Sequence, residues 1–133
     1  MTEHDRREIR VDNLAEPLSH YTDVVVYNGL AFISGFLGVD RDGSLVDDND
    51  VVAQARQSLQ NLAHALDAVD SSFADVLKVT VYLTDVNDLA AINPVRQEFF
   101  GDARPASTLV EVAALALPYA RVEIEAVAAV RTV

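Results

Sequence analysis

From Val24 to Ser34 the chain reads as a two-stranded hairpin: Val24-Val25-Val26-Tyr27, then Asn28-Gly29, then Leu30-Ala31-Phe32-Ile33-Ser34. Asn-Gly suits the two positive-φ positions of a tight turn between β-rich runs. Gly35 and Gly38 are expected to break the second strand, with Asp42-Gly43 and the acidic run Asp47-Asp48-Asn49-Asp50 forming a loop. From Asp50 the period lengthens. Val52, Ala55, Leu59, Leu62, Ala63, Leu66 and Val69 recur every three or four positions, the spacing of an amphipathic helix capped by Asn49 or Asp50. Between Asp75 and Leu83 the alternation returns, with Leu77, Val79, Val81 and Leu83 assigned to one face and Lys78, Thr80 and Tyr82 to the other.

Leu89, Ile92, Val95 and Phe99 predict a second helix, interrupted by Pro94. Proline is accommodated best in a first helical turn, so the pattern predicts Asn93 as N-cap and Pro94 as the first helical residue. Gly101 ends that helix. Two further strands are expected around residues 108–112 and 121–130. The order is ββαβαββ, an α+β domain with a mixed sheet and two helices sharing one face. Residues 1–133 are read as a single domain, with 1–16 an N-terminal segment expected to be partly flexible.

Composition narrows the possibilities. A chain of 133 residues, half of them hydrophobic, has enough apolar surface for one core. No apolar run is long enough to span a bilayer, and the charged start MTEHDRREIRVDN has no secretory signal pattern, so a cytoplasmic location is the expectation. The absence of cysteine excludes disulfides and thiol nucleophiles. A formal net charge of −11, with nine scattered arginines and Lys78 as the sole lysine, disfavours a phosphate-backbone partner.

Few residues are placed for chemistry by spacing alone. His4, His20 and His64 lack the convergence a metal site needs, and the acidic loop lacks the spaced ligands of a calcium loop. No metal or other cofactor is expected. Glu123 and Glu125 lie two apart on a predicted strand and so share a face. On an open sheet such a pair is simply solvated. In an apolar cleft, desolvation would raise the pKa of one carboxylate and suit it to proton transfer.

One ordered set of segments goes further. Tyr21, Ile33-Ser34-Gly35, the run Gln54 to Leu62, Val79-Thr80-Val81-Tyr82-Leu83-Thr84-Asp85, Asn93, Phe99-Phe100, Pro105-Ala106, Val110-Glu111-Val112-Ala113 and Val122-Glu123-Ile124-Glu125-Ala126 stand in series. At these spacings, from about Pro17 to Val130, the chain resembles the RidA/YjgF family of imine and enamine deaminases. The resemblance implies a chorismate-mutase-like subunit, a homotrimer with clefts between neighbours, and a small-molecule substrate. By position it implies Glu123 as the carboxylate that activates water, with Tyr21, Ser34, Gly35 and Asn93 lining the cleft.

The chain departs from that pattern at one position. In the deaminating members the Pro-Ala pair precedes an arginine that grips the substrate carboxylate, whereas Pro105-Ala106 precedes Ser107. A guanidinium pairs bidentately with a carboxylate; a hydroxyl offers one donor and no charge. Arg104 is expected on the loop surface. Ser107 is therefore expected to contact a substrate other than an ordinary 2-imino acid: a neutral imine, or an unsaturated acid held by other donors. A hydrolytic deaminase is the first expectation and a non-catalytic binding trimer the second. An RNA-cleaving role, attributed to some relatives, is disfavoured by the charge.

Overall fold

A computed structural model describes residues 5–131. Six strands form one sheet: β1 Arg7–Ile9, β2 Val24–Tyr27, β3 Leu30–Leu37, β4 Val76–Leu83, β5 Ala106–Glu111 and β6 Val122–Ala129. Their spatial order is β1-β2-β3-β6-β4-β5, with every pairing antiparallel except β4 with β5. Two helices, α1 Val51–Ala68 and α2 Leu89–Phe100, complete an α+β fold. α1 packs on β3 and β6 and against α2, so the helices share one sheet face.

The hairpin forms as its sequence predicts. Asn28 and Gly29 carry φ values of 54° and 79° between β2 and β3, the left-handed geometry that such a turn demands. β1 adds to the predicted order. Arg7–Ile9 pair along β2, and Val11 and Leu14 are buried in the core. The expectation of partial flexibility for 1–16 is therefore replaced, over its described part, by a strand and two core contacts. The buried Asp23 carboxylate secures this segment by accepting the Val11 N–H at 2.8 Å and pairing with Arg10. His4 lies outside the described residues.

Gly35 does not end β3. The strand runs through it to Leu37, and the pairing with β6 shifts by one residue between Ile33 and Phe36. This β-bulge lets Ile33 and Phe36, three apart, both face the core. The sequence shows the glycine but not the extra residue. A second irregularity, between Val76 and Lys78, turns Leu77 out to half exposure while Val79, Val81 and Leu83 are buried as predicted.

Asp50 caps α1, its carboxylate accepting from the N–H groups of Val52 and Ala53. Leu59, Leu62 and Leu66 are fully buried, each stabilising the fold by roughly 1.5–3 kcal/mol. The buried face is wider than the apolar pattern, because it includes Gln54, Ser58 and Asn61. Their polar atoms meet backbone that the sheet leaves unpaired. Ser58 Oγ donates to the Phe36 carbonyl, and Asn61 Nδ2 to the carbonyls of Leu37 and Val39. α1 thus grips the end of β3 just past the bulge.

α2 begins five residues earlier than predicted. Leu89 is its first residue, preceded by a 3₁₀ turn over Val86–Asp88 whose N–H of Asn87 is capped by Asp85. Asn93 is therefore not a cap; it and Pro94 lie inside the helix. Both are exposed, as is Ala90, whose carbonyl loses its intrahelical donor to the proline ring. Solvent on that side supplies a substitute. Gly101 closes the helix at φ 61°, as expected.

Candidate active site

The bulge in β3 and the neighbouring strand β6 create the site. Glu123 on β6 pairs in register with Leu37 and Tyr82. Its carboxylate lies directly above Gly35: a Cβ built there would stand 2.1 Å from Glu123 Oε2. Only glycine at 35 leaves the carboxylate this position. Tyr21, Ser34, Gly35 and Glu123 line one cavity, together with Leu18, Ser19, Leu37 and Ala116.

Each wall is fixed by hydrogen bonds. Ser34 Oγ donates to the Thr22 carbonyl at 2.6 Å, and the Ser34 N–H donates to the Asp23 carbonyl at 2.9 Å. Tyr21 Oη accepts the Leu18 N–H at 3.1 Å, which leaves the phenolic proton to donate. Ala116 comes from the loop between β5 and β6, which Gln54 holds from inside the fold. Gln54 Nε2 donates to the carbonyls of Asp47 and Tyr119, and its Oε1 accepts the Arg121 N–H. Arg121 Nη2 also donates to both carboxylate oxygens of Asp88 at 2.9 Å.

Glu123 is half-buried, and burial, followed by the negative charge of Glu125, pushes its pKa above the usual carboxylate range. No described residue hydrogen-bonds its carboxylate, which stands open to the cavity. Tyr82 beside it is likewise pushed up, first by desolvation and then by Glu125.

The other two predicted residues lie elsewhere in the subunit. Asn93 and Ser107 line a separate depression between α2 and the start of β5, together with Arg96, Arg104 and Phe100. Ser107 pairs with Val79 and so projects toward the helix layer, where its Oγ accepts from Arg96 Nη2 at 3.0 Å. Arg104 is exposed, as expected, on the rim of this depression. Within one chain, then, Glu123, Tyr21, Ser34 and Gly35 converge, while Asn93 and Ser107 do not join them.

Sequence reasoning missed Leu18, Ser19 and Ala116, which reach the cavity from loops and carry no periodic signal. It also missed Arg96, whose position one turn from Asn93 on a helix was the available clue. Among the described residues no three His, Cys, Asp or Glu side chains are grouped to hold a metal, and no helix is long and apolar enough to cross a membrane.

The family model for Endoribonuclease L-PSP matches residues 12–130. The chain belongs to that family. A RutC family protein of Pyrococcus horikoshii is 38% identical over 120 residues, covering 90% of this chain and 94% of its own. The goat (Capra hircus) 2-iminobutanoate/2-iminopropanoate deaminase is 37% identical over 123 residues, covering 92% and 89%. Among solved structures, the Escherichia coli YjgF gene product superimposes with a TM-score of 0.85 at 34% identity, covering 95% of this chain and 99% of its own. The yeast protein YEO7 gives 0.91 at 33%, covering 96% and 100%. The RidA/YjgF resemblance is thereby established at the level of family and fold, and the family includes imine deaminases.

Proposed function

We propose that the protein is a hydrolytic deaminase of a small imine or enamine, with Glu123 as its general base and acid. The observation that carries this reading is the open Glu123 carboxylate, half-buried above Gly35 and beside Tyr21 and Ser34. Family membership alongside 2-iminobutanoate/2-iminopropanoate deaminases supports it.

The chemistry is balanced by one water. Glu123 takes a proton from water as its oxygen adds to the imine carbon, and the C=N pair moves to nitrogen. Glu123 returns the proton to that nitrogen, giving a carbinolamine. It then relays the hydroxyl proton to the same nitrogen as the C–N bond breaks, so that the O–H pair closes the carbonyl and ammonia departs. An enamine enters the same path after protonation at carbon. A raised pKa keeps the carboxylate a competent donor in the second step. Tyr21, through its phenolic proton, orients the substrate or the water.

The reading includes a homotrimer in which the Asn93–Ser107 depression of one copy faces the Glu123 cavity of its neighbour. The sheet face away from the helices supports assembly. Phe32 and Val110 are 46% and 39% exposed there, paired in register with Val127 and Tyr82 respectively. With serine at 107, a carboxylate is not held from β5 as in deaminating members, so the substrate is a neutral imine or an acid held by other donors. That same serine favours the second reading, a trimer that binds a small molecule without turnover.

Glu123→Gln separates the two. It keeps shape while removing the proton carrier, and general acid–base groups supply roughly a hundred- to ten-thousand-fold in rate. With freshly generated imine, the folded variant is expected to match the buffer rate while wild type exceeds it. Equal turnover in both proteins removes Glu123 from the chemistry; no turnover in wild type with any imine tried favours the binding trimer.

A further inference from the structure

The depression between α2 and β5 is electrostatically unlike the rest of this acidic chain. Two arginines, Arg96 and Arg104, line it and no carboxylate does. Arg6, Arg10, Arg56, Arg121 and Arg131 all have carboxylate partners. Among the described arginines without one, Arg7, Arg41 and Arg104 are exposed and only Arg96 is partly buried. Desolvation lowers the Arg96 pKa, yet a guanidinium stays charged under any ordinary condition. A partly desolvated cation without a counter-ion is costly and is compensated when an anion arrives.

The donors around it are arranged to receive one. Arg96 spends one of its five N–H groups on Ser107 Oγ, at 3.0 Å. Because the hydroxyl accepts that bond, its own proton is free to donate. The Asn93 side chain, three residues earlier on the same helix, lines the depression as well. Guanidinium, hydroxyl and amide thus present a charged fork flanked by neutral donors, which fits the two oxygens of a carboxylate.

We infer that Arg96, with Ser107, forms a carboxylate-binding subsite, and that the molecule the protein acts on is an organic acid held from α2. The placement of this subsite in the reaction rests on the imine-hydrolase reading; its existence as a binding site does not. The serine at 107 is then not the loss of a substrate contact. It is the hydroxyl through which a cation on a different element is positioned.

The test uses crotonate, a stable unsaturated carboxylate, and its neutral isostere crotonamide. Each is titrated at low ionic strength into uniformly ¹⁵N-labelled full chain, with amide shifts followed around residues 93–107. Wild type is expected to bind crotonate at least roughly ten-fold more tightly than crotonamide, the scale of a charge-assisted contact. Arg96→Gln should abolish that preference. Ser107→Ala, which leaves the guanidinium in place, should weaken crotonate by a few-fold and serves as a second variant should Arg96→Gln fold poorly. Equal binding of acid and amide by wild type, or a preference unchanged in both variants, overturns the inference. So does displacement of crotonate by equimolar inorganic phosphate, which would mark an unselective anion site. Because binding is read without turnover, the outcomes separate cleanly. Imine hydrolysis with no Arg96-dependent preference sinks the subsite and leaves the hydrolase. A preference without hydrolysis does the reverse.

Discussion

Glu123 and Gly35 act as one unit although they lie on different strands. The carboxylate rests where a side chain at 35 would have to be, so Gly35→Ala must displace it. The atoms in the way belong to the end of a flexible side chain, and Gly35 has an ordinary backbone φ. The expected result is a loss of hydrolysis of ten-fold or more with a melting temperature within a few degrees of wild type, read by steady-state assay and calorimetry. Glu123 also predicts a pH-dependent stability. Its folded pKa is raised above the ordinary value of 4.5, so the folded state loses stability relative to a neutral side chain as pH rises past that value. Glu123→Gln should therefore melt higher than wild type at pH 7.5. The gap should close as pH falls toward 4, where both states are protonated. A gap that is constant with pH would mean that the carboxylate is not desolvated. Activity should fall in the same direction, as protonation removes the base.

The elements divide into those whose residues announce them and those set by distant partners. The hairpin was legible because Asn28-Gly29 has one good use between β-rich runs, and α1 because its apolar period and Asp50 agree. The start of α2 was not legible. Proline at a first turn is a sound rule, but an exposed helix face tolerates it further in, and exposure is a tertiary fact. The β3 bulge was hidden for a similar reason, since only the register against β6 reveals the extra residue. Of the candidate site, Glu123, Tyr21, Ser34 and Gly35 were legible only through the family resemblance and do line one cavity, while the separation of Asn93 and Ser107 depends on how α2 and β5 lie. A paired substitution tests the helix starts. Asp50→Ala should cost about 1 kcal/mol, because two N–H groups lose their acceptor. Asn93→Ala, in a helix interior and exposed, should change stability by no more than a few tenths of a kcal/mol. Denaturant midpoints at constant slope would read both. An Asn93→Ala loss as large as that of Asp50→Ala would restore the cap at 93.

For the molecule as a whole, the sheet face opposite the helices bears on the proposed trimer. A single layer of helices covers only one side of a six-stranded sheet, and on the other Phe32, Val127 and Val110 are partly or well exposed among polar residues such as Lys78, Thr80 and Glu125. Sedimentation equilibrium at micromolar concentration is expected to give about three times the 14.5 kDa chain mass, and Phe32→Glu should drive it toward the monomer. A monomeric wild type would leave the two halves of the proposed cleft apart. The position of β6 has a different consequence. The last strand in chain order lies in the middle of the sheet, between β3 and β4, so β1–β3 and β4–β5 remain two separate ribbons until it arrives. Both of the edges it must join are hydrophobic and bind strands readily. An unfinished molecule is thus a pair of sticky templates, and the step that delivers Glu123 to Gly35 is the same one that closes the sheet. The site therefore cannot exist in a chain whose β6 has not yet paired with β3.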